Sequence, residues 1–349
     1  MRSVVLVVPG RLETRTGGYE YDRRLVEALR NDEWWVDVRE LGGGFPAPTA
    51  AEREQAARVL ANLPERSIVI VDGLALGVLP DEIERAASRL RIVALVHHPL
   101  ALETGLPDAL KRTLRESERR ALAIARRVVV TSHATVAALA AYAVPAEKVR
   151  VVEPGTDPAP IATGSGGGDM VQLLCVATLI ARKGHDLLLQ ALAAVPGRNW
   201  RLGCVGSDRD PIVGRKLRDL VRQLQLTPHV TFEGEADAAT IARRYDGADV
   251  FVLPTLYEGY GMAVAEALAR GLPIVSTTTG AIPEIVPDHA GVLVAPGDAP
   301  ALTDALALVI GNPSVRRRLA EGARRARARL PTWPMAAAKM GVILESIDG

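Results

Sequence analysis

Two glutamates and a glycine turn lie together in residues 258–284, EGYGMAVAEALARGLPIVSTTTGAIPE. Glu258 precedes Gly259, Tyr260 and Gly261, and Glu266 follows inside the apolar-periodic segment Met262 to Arg270. A short apolar run, Val250 to Leu253, comes just before. Strand, glycine turn and helix in that order leave unpaired backbone N–H groups at the helix start, where a phosphate can be held. The two carboxylates lie on either side of this turn, one in the loop and one about a turn into the helix, so both can face one ligand. Carboxylates repel phosphate and accept hydrogen bonds from hydroxyls. A lone loop or helix glutamate is ordinarily a solvated charge. Here the solvated reading weakens, because the pair flanks a glycine turn and Pro273, Gly280 and Pro283-Glu284 add a second turn soon after.

A ligand with hydroxyls on both sides of a phosphate uses all of these groups, and a nucleotide sugar is one. The stretch resembles the signature of family 4 retaining glycosyltransferases of the GT-B fold, two glutamates around a glycine turn. That resemblance implies that Glu258 contacts hydroxyls of the donor sugar and Glu266 the ribose. It also implies that backbone amides near Gly259, Tyr260, Gly261 and Met262 receive the sugar and phosphates. The segment TLIARKGHDLLLQAL is similar to the family's diphosphate-binding segment, with Lys183 before Gly184 matching. The family's arginine position falls on Thr178, and Arg182 stands beside the lysine instead. Either Arg182 substitutes from there, or donor binding leans more on Lys183 and the helix N-terminus. Gly234, Glu235 and Ala236 resemble the segment whose backbone reads the nucleobase edge. Gly17-Gly18 is plain turn chemistry by itself; in the family this first loop closes over the donor phosphates. The paired His97-His98, at the end of an apolar run, matches the family's histidine near sugar and acceptor, with His97 first.

The implied reaction is sugar transfer from a nucleotide-sugar donor to an acceptor hydroxyl with retention at the anomeric carbon. Glu258, Lys183 and His97 carry it, and no enzymic nucleophile is assigned. No essential metal and no cofactor is expected, as the GT-B resemblance implies. Three rivals remain: a sugar-nucleotide epimerase of the same fold, a dinucleotide-dependent oxidoreductase, and a non-catalytic nucleotide-sugar binding module. Against the oxidoreductase, no G-x-G-x-x-G follows the first strand. The acceptor, whether glycan, lipid-linked or small molecule, leaves no signature.

These residues need rigid elements behind them. Ser3 to Val8 is a valine-rich run of the kind buried in a parallel sheet. Further strands are expected at Val36 to Arg39, Ile68 to Asp72, Ile92 to Val96, Val128 to Val130 and Val149 to Val152. Helices are expected between them at Tyr19 to Leu29, Ala51 to Leu60 and Leu106 to Arg127. After PAPIATGSGGGD, a proline-, glycine- and serine-rich linker, the pattern starts again. Strands follow at Val171 to Ala177, Trp200 to Val205, Val230 to Phe232, Val250 to Leu253, Ile274 to Ser276 and Leu293 to Val294. Helices follow at Met262 to Arg270, Ala299 to Ile310 and Arg316 to Arg329. Such alternation predicts an α/β chain with two Rossmann-like, doubly wound parallel-sheet domains, which the GT-B resemblance places on either side of a central cleft. The expected division is 1–157 with 333–349 packing back on it, a linker at 158–169, and a donor-binding domain at 170–332. Ligands of such sheets bind at the carboxyl ends of the strands.

Composition limits the alternatives. The chain has 349 residues, 48% hydrophobic and 24% charged, enough for two cores. Net charge is +1, which gives no argument for a nucleic-acid partner. The two cysteines, Cys175 and Cys204, sit in apolar runs without metal-ligand spacing, consistent with buried thiols in a reducing compartment. The N-terminus reads as a first strand rather than a signal peptide, and no apolar stretch is long enough to span a bilayer. A cytoplasmic location is expected. The arginine-rich helix Leu106 to Arg127 reads as a solvated face, with peripheral contact with anionic lipid at the inner membrane face as the alternative.

Overall fold

The computed structural model describes residues 2–348. The chain divides into two compact units, Met1–Gly155 with Pro331–Gly349, and Thr156–Leu330. Met1 and Gly349, the outer ends of the expected first domain, lie outside the described residues.

The first unit is built on a six-stranded parallel sheet of β1 (Ser3–Val8), β2 (Trp35–Glu40), β3 (Ile68–Asp72), β4 (Arg91–Val96), β5 (Arg127–Val130) and β6 (Val149–Val151), in the order β2-β1-β3-β4-β5-β6. Every pairing is parallel, as in Val5 opposite Val69 and Val93 opposite Arg127. β3 is buried along its whole length, as is nearly all of β4, which explains why these runs are continuously apolar. A fully buried Val or Leu side chain contributes roughly 1.5–3 kcal/mol relative to exposure, so the sheet interior dominates the stability of the unit. The final helix, Trp333–Asp348, packs against helix Gly17–Asn31. Gly155 permits that return: a Cβ there would stand 2.3 Å from the Trp333 backbone nitrogen. Lys339 Nζ also donates to Glu153 Oε2 at 2.6 Å.

The second unit holds β7 (Val171–Val176), β8 (Trp200–Val205), β9 (Val230–Gly234), β10 (Val250–Leu253), β11 (Ile274–Thr277) and β12 (Gly291–Val294), in the order β12-β11-β10-β7-β8-β9. Trp200, Tyr245 and Phe251 are fully buried in its core. Residues 158–169, the expected linker, form neither helix nor strand and are tied to this unit through aspartates. Gly164 N–H donates to the Asp246 carbonyl at 2.8 Å, and Ser165 N–H to Asp249 Oδ1 at 3.0 Å.

Two expectations need correction. The helix anticipated over Leu106 to Arg127 runs Asp108–Ile124, because Ala125 turns extended (ψ 138°) and Arg127 already pairs in β5. Gly17 and Gly18 form the first turn of their helix instead of preceding it. Helices beyond the expected set include Pro80–Ala87, Pro211–Gln223 and Ala238–Asp246. Two open on proline, and Asp210 and Asp237 cap the latter two through their side chains. Among the described residues no helix is long and apolar enough to cross a membrane.

Candidate functional site

In the second unit the strand order reverses between β7 and β10, the kind of position at which ligands of such sheets bind. The residues expected to hold a donor lie on these two loops. After β7 the chain makes a short turn, Ala181–Lys183, then Gly184 in the left-handed region (φ +68°), and enters helix His185–Ala194. A Cβ at Gly184 would stand 2.2 Å from the Pro254 carbonyl oxygen, so glycine is what lets the two loops touch. Lys183 Nζ then reaches Glu258 Oε2 at 2.5 Å, with the side chains only 15% and 12% exposed.

Glu258 is held from behind by the loop after β11. Gly280 (φ +53°) lies so close that a Cβ would be 1.7 Å from the Glu258 carbonyl oxygen, and Ala281 N–H donates to that oxygen at 3.2 Å. Thr277 Oγ1 donates to the Thr255 carbonyl at 2.6 Å and Thr279 Oγ1 to that of Leu256 at 3.1 Å. Arg182 binds this loop too: its Nη1 donates to the Tyr257 carbonyl at 2.9 Å, and its own carbonyl accepts from Leu256 N–H at 2.8 Å. Its guanidinium therefore shapes the Glu258 loop, a role its sequence position does not announce.

Gly259, Tyr260 and Gly261 lead into helix Met262–Ala269, with Gly261 at the N-cap in the left-handed region (φ +102°) and no side-chain cap. Its first amide groups are left to other acceptors. Glu266, in this helix, accepts from Tyr245 Oη at 3.0 Å, and the Arg270 guanidinium lies 4.5 Å from the Tyr245 ring centroid. Burial, then the Glu266 carboxylate, pushes the Tyr245 hydroxyl well above its ordinary pKa, so it remains a donor to Glu266. Tyr245 is a site-shaping residue that the sequence reading missed; its only signal is an aromatic at the end of a helix in the second unit. Gly234 (φ +74°) closes β9, and Glu235 and Ala236 lead from it into helix Ala238–Asp246.

His97 belongs to the first unit, where the strand order reverses between β1 and β3. It follows β4, and its Nε2 lies 2.9 Å from Asp22 Oδ1 and 3.2 Å from Asp72 Oδ2. Asp22 comes from helix Gly17–Asn31 and Asp72 from the end of β3, where its other oxygen accepts from Leu74 N–H at 2.7 Å. Gly18 lies against the ring, a Cβ there being 3.3 Å from His97 Cδ2, and Tyr21 meets it edge-on at 5.0 Å. Burial alone would lower the His97 pKa, but the two carboxylates push it up to about 10. Burial raises Asp22 to about 6 against the pull of His97. Asp22, Asp72 and His97 offer three potential metal-ligand atoms within 4.8 Å. Their direct N–H···O contacts, with Nε2 shared by both acids, are those of a hydrogen-bonded cluster. His98 Nε2 stands 3.9 Å from Glu103 Oε2. The two aspartates were not singled out from sequence, since one is a helix residue and the other a turn residue far from His97 in the chain.

Comparison with known proteins matches both halves. Residues 171–312 fit a family model described as glycosyl transferases group 1, and residues 75–160 one described as glycosyltransferase family 4. An MMP alpha-(1->4)-mannosyltransferase from Mycolicibacterium hassiacum is 28% identical over 89% of this chain and 79% of that protein. Among solved structures, sucrose-phosphate synthase from Thermosynechococcus elongatus superposes with a TM-score of 0.84 at 23% identity, covering 100% of this chain and 99% of that one. Anabaena Alr3699/HepE in complex with UDP and glucose gives 0.80 at 18% identity, over 98% and 99%.

Proposed function

We propose, from the premise that the chain belongs to the family 4 glycosyltransferases of the GT-B fold, that it moves a sugar from a nucleoside-diphosphate donor to an acceptor hydroxyl with retention of anomeric configuration. The observation that carries the reading is the Lys183–Glu258 contact at the β7/β10 reversal, beside the uncapped amide groups that follow Gly261. A cation, an anion-accepting helix start and a hydroxyl acceptor stand together there. That set suits a molecule whose phosphates adjoin a sugar. The solved Anabaena relative holds UDP and glucose, and the Mycolicibacterium relative is a mannosyltransferase, which supports a hexosyl nucleotide as the donor class.

In this mechanism the donor diphosphate takes Lys183 from Glu258. The ammonium and the helix amides then face the charge that grows on the leaving phosphate as the glycosidic bond breaks, a fixed electrostatic stabilisation that needs no rearrangement during the step. Glu258, released, accepts hydrogen bonds from sugar hydroxyls. Glu266, oriented by Tyr245, accepts from the ribose. Positive charge at the phosphates comes from Lys183 and the backbone, so transfer continues in excess chelator. No group is placed as an enzymic nucleophile.

The test is release of nucleoside diphosphate from UDP-, GDP- and ADP-sugars with a panel of hydroxyl acceptors, the anomeric configuration of the product being read by proton NMR. The expected result is one productive donor and an α-linked product from an α-linked donor. Absence of release from every donor, or a β-linked product, overturns the reading. A donor epimerised without any acceptor points to the epimerase instead.

A further inference from the structure

His97 presents its ring in an unusual way. Both acidic oxygens engage the same atom, Nε2, at 2.9 and 3.2 Å, and they arrive from separate elements. Nε2 can satisfy both only as an N–H donor, because a carboxylate pair offers nothing to an unprotonated nitrogen, and two acids in contact with one ring favour its charged form, with the second proton on Nδ1. Asp22 is fully buried, with its second oxygen, Oδ2, buried and unpaired, so it is held in place by its contact with the ring. Gly18 and Tyr21 pack the ring faces and edge. Nδ1 makes no hydrogen bond among the described residues, and the side chain keeps 20% of its exposure at the carboxyl end of β4, the side on which such sheets bind ligands.

We propose that Asp22 and Asp72 are positioning residues that clamp the His97 ring by Nε2 as an imidazolium, so that its Nδ1–H is a permanent hydrogen-bond donor to a substrate oxygen rather than a proton acceptor. The identity of that oxygen, a sugar hydroxyl or a phosphate oxygen, rests on the transferase reading. The clamp itself does not. The groups that surround the ring agree with it. Asp22 and Tyr21 face it from helix Gly17–Asn31 and Asp72 from β3, while Glu153 lies near Tyr21, whose hydroxyl donates to the Val152 carbonyl at 3.1 Å. Burial works against a charged ring, and the two acids outweigh it. His98, next in sequence, stands 3.9 Å from Glu103 and is not in contact with the Asp22 and Asp72 pair that holds His97.

The consequence for chemistry is specific. A histidine fixed as a donor cannot accept the acceptor's proton near neutral pH, so the acceptor hydroxyl must lose its proton elsewhere, for example to the leaving phosphate. The donor also discriminates between ligands, since an oxygen in line with Nδ1 is favoured and a cationic or N–H group there is rejected.

The experiment is nitrogen-15 NMR of the histidine ring nitrogens in the full chain, with His97→Gln identifying the resonances among the six histidines. Both nitrogens of His97 are expected to keep protonated-ring shifts from pH 6 to about 9, whereas an ordinary histidine changes around 6.5. In Asp72→Asn the midpoint falls by about one pH unit or more, as expected when a carboxylate in contact is neutralised. Asp22→Asn gives a second reading should one of the two variants fold poorly. A wild-type midpoint near 6.5, or one unmoved in both variants, overturns the proposal. This readout needs no donor or acceptor. Normal titration in an active transferase sinks the clamp alone, and a clamped ring in a chain that transfers nothing sinks the functional reading alone.

Discussion

Replacing Lys183 by alanine tests the proposed donor site on two independent scales. The ammonium and the Glu258 carboxylate are 15% and 12% exposed and 2.5 Å apart, so most of their hydration is already lost in the folded chain. Removing one member of a fully buried pair costs about 3–5 kcal/mol. The remaining exposure lets water reach the carboxylate, which brings the expected loss for Lys183→Ala down to about 1–3 kcal/mol. Glu258→Ala should cost a similar amount, and because the two losses share one contact, the double variant should fall short of their sum by about 0.5–3 kcal/mol. Denaturant unfolding followed by circular dichroism measures all three. Activity falls further than stability, because removing a fixed charge that stabilises a leaving group costs about 100- to 1,000-fold, near 2.7–4 kcal/mol of barrier. Release of nucleoside diphosphate under saturating donor gives that number. Additive stability losses, or a Lys183→Ala rate within about threefold of wild type, would show that the two side chains do not form one functional site.

Other perturbations separate the remaining parts. Tyr245→Phe removes the 3.0 Å hydrogen bond to Glu266 and should raise the donor KM about three- to tenfold with little effect on folding, measured by initial rates and thermal melts. Gly280→Ala puts a Cβ into the Glu258 carbonyl and should cost at least about 1–3 kcal/mol from the left-handed backbone alone, visible as a lower melting temperature and a lost Glu258 phenotype. Stability should fall as pH rises. His97, raised from 6.5 to about 10, contributes fully below about 6.5 and loses its contribution as pH passes about 10, and Asp22, raised to about 6, loses its own contribution on the way through 6. Denaturation midpoints between pH 5 and about 10.5 should therefore decline in wild type, and His97→Gln should flatten the alkaline part.

The parts of the molecule that sequence made legible are those whose cause is local. Ser3–Val8 and Ile68–Asp72 could be read to the residue because a strand buried on both faces must be continuously apolar. The Gly259 to Met262 turn was legible because a glycine-rich helix start needs its residues adjacent. The end of helix Asp108–Ile124 was not, since Arg127 changes from helix to strand only through its pairing with Val93. The site contacts were harder still. Lys183 and Glu258 are 75 residues apart, as are Asp22 and His97, and each pair meets only because the sheet order reverses between two strands. A glutamate before a glycine turn can be read as a hydroxyl acceptor. That its resting partner is a lysine after another strand, or that Tyr245 orients Glu266, follows from tertiary packing alone.

Nucleoside-diphosphate binding at the reversal between β7 and β10 is tested most directly by the melting temperature of the full chain with UDP, GDP and ADP. A ligand that binds only the folded state at about 100 times its dissociation constant adds about 2.7 kcal/mol, a shift of several degrees. One nucleotide is expected to raise the wild-type melting temperature and to lose most of that effect in Lys183→Ala. No shift with any of the three, or an equal shift in the variant, would rule out diphosphate binding at Lys183.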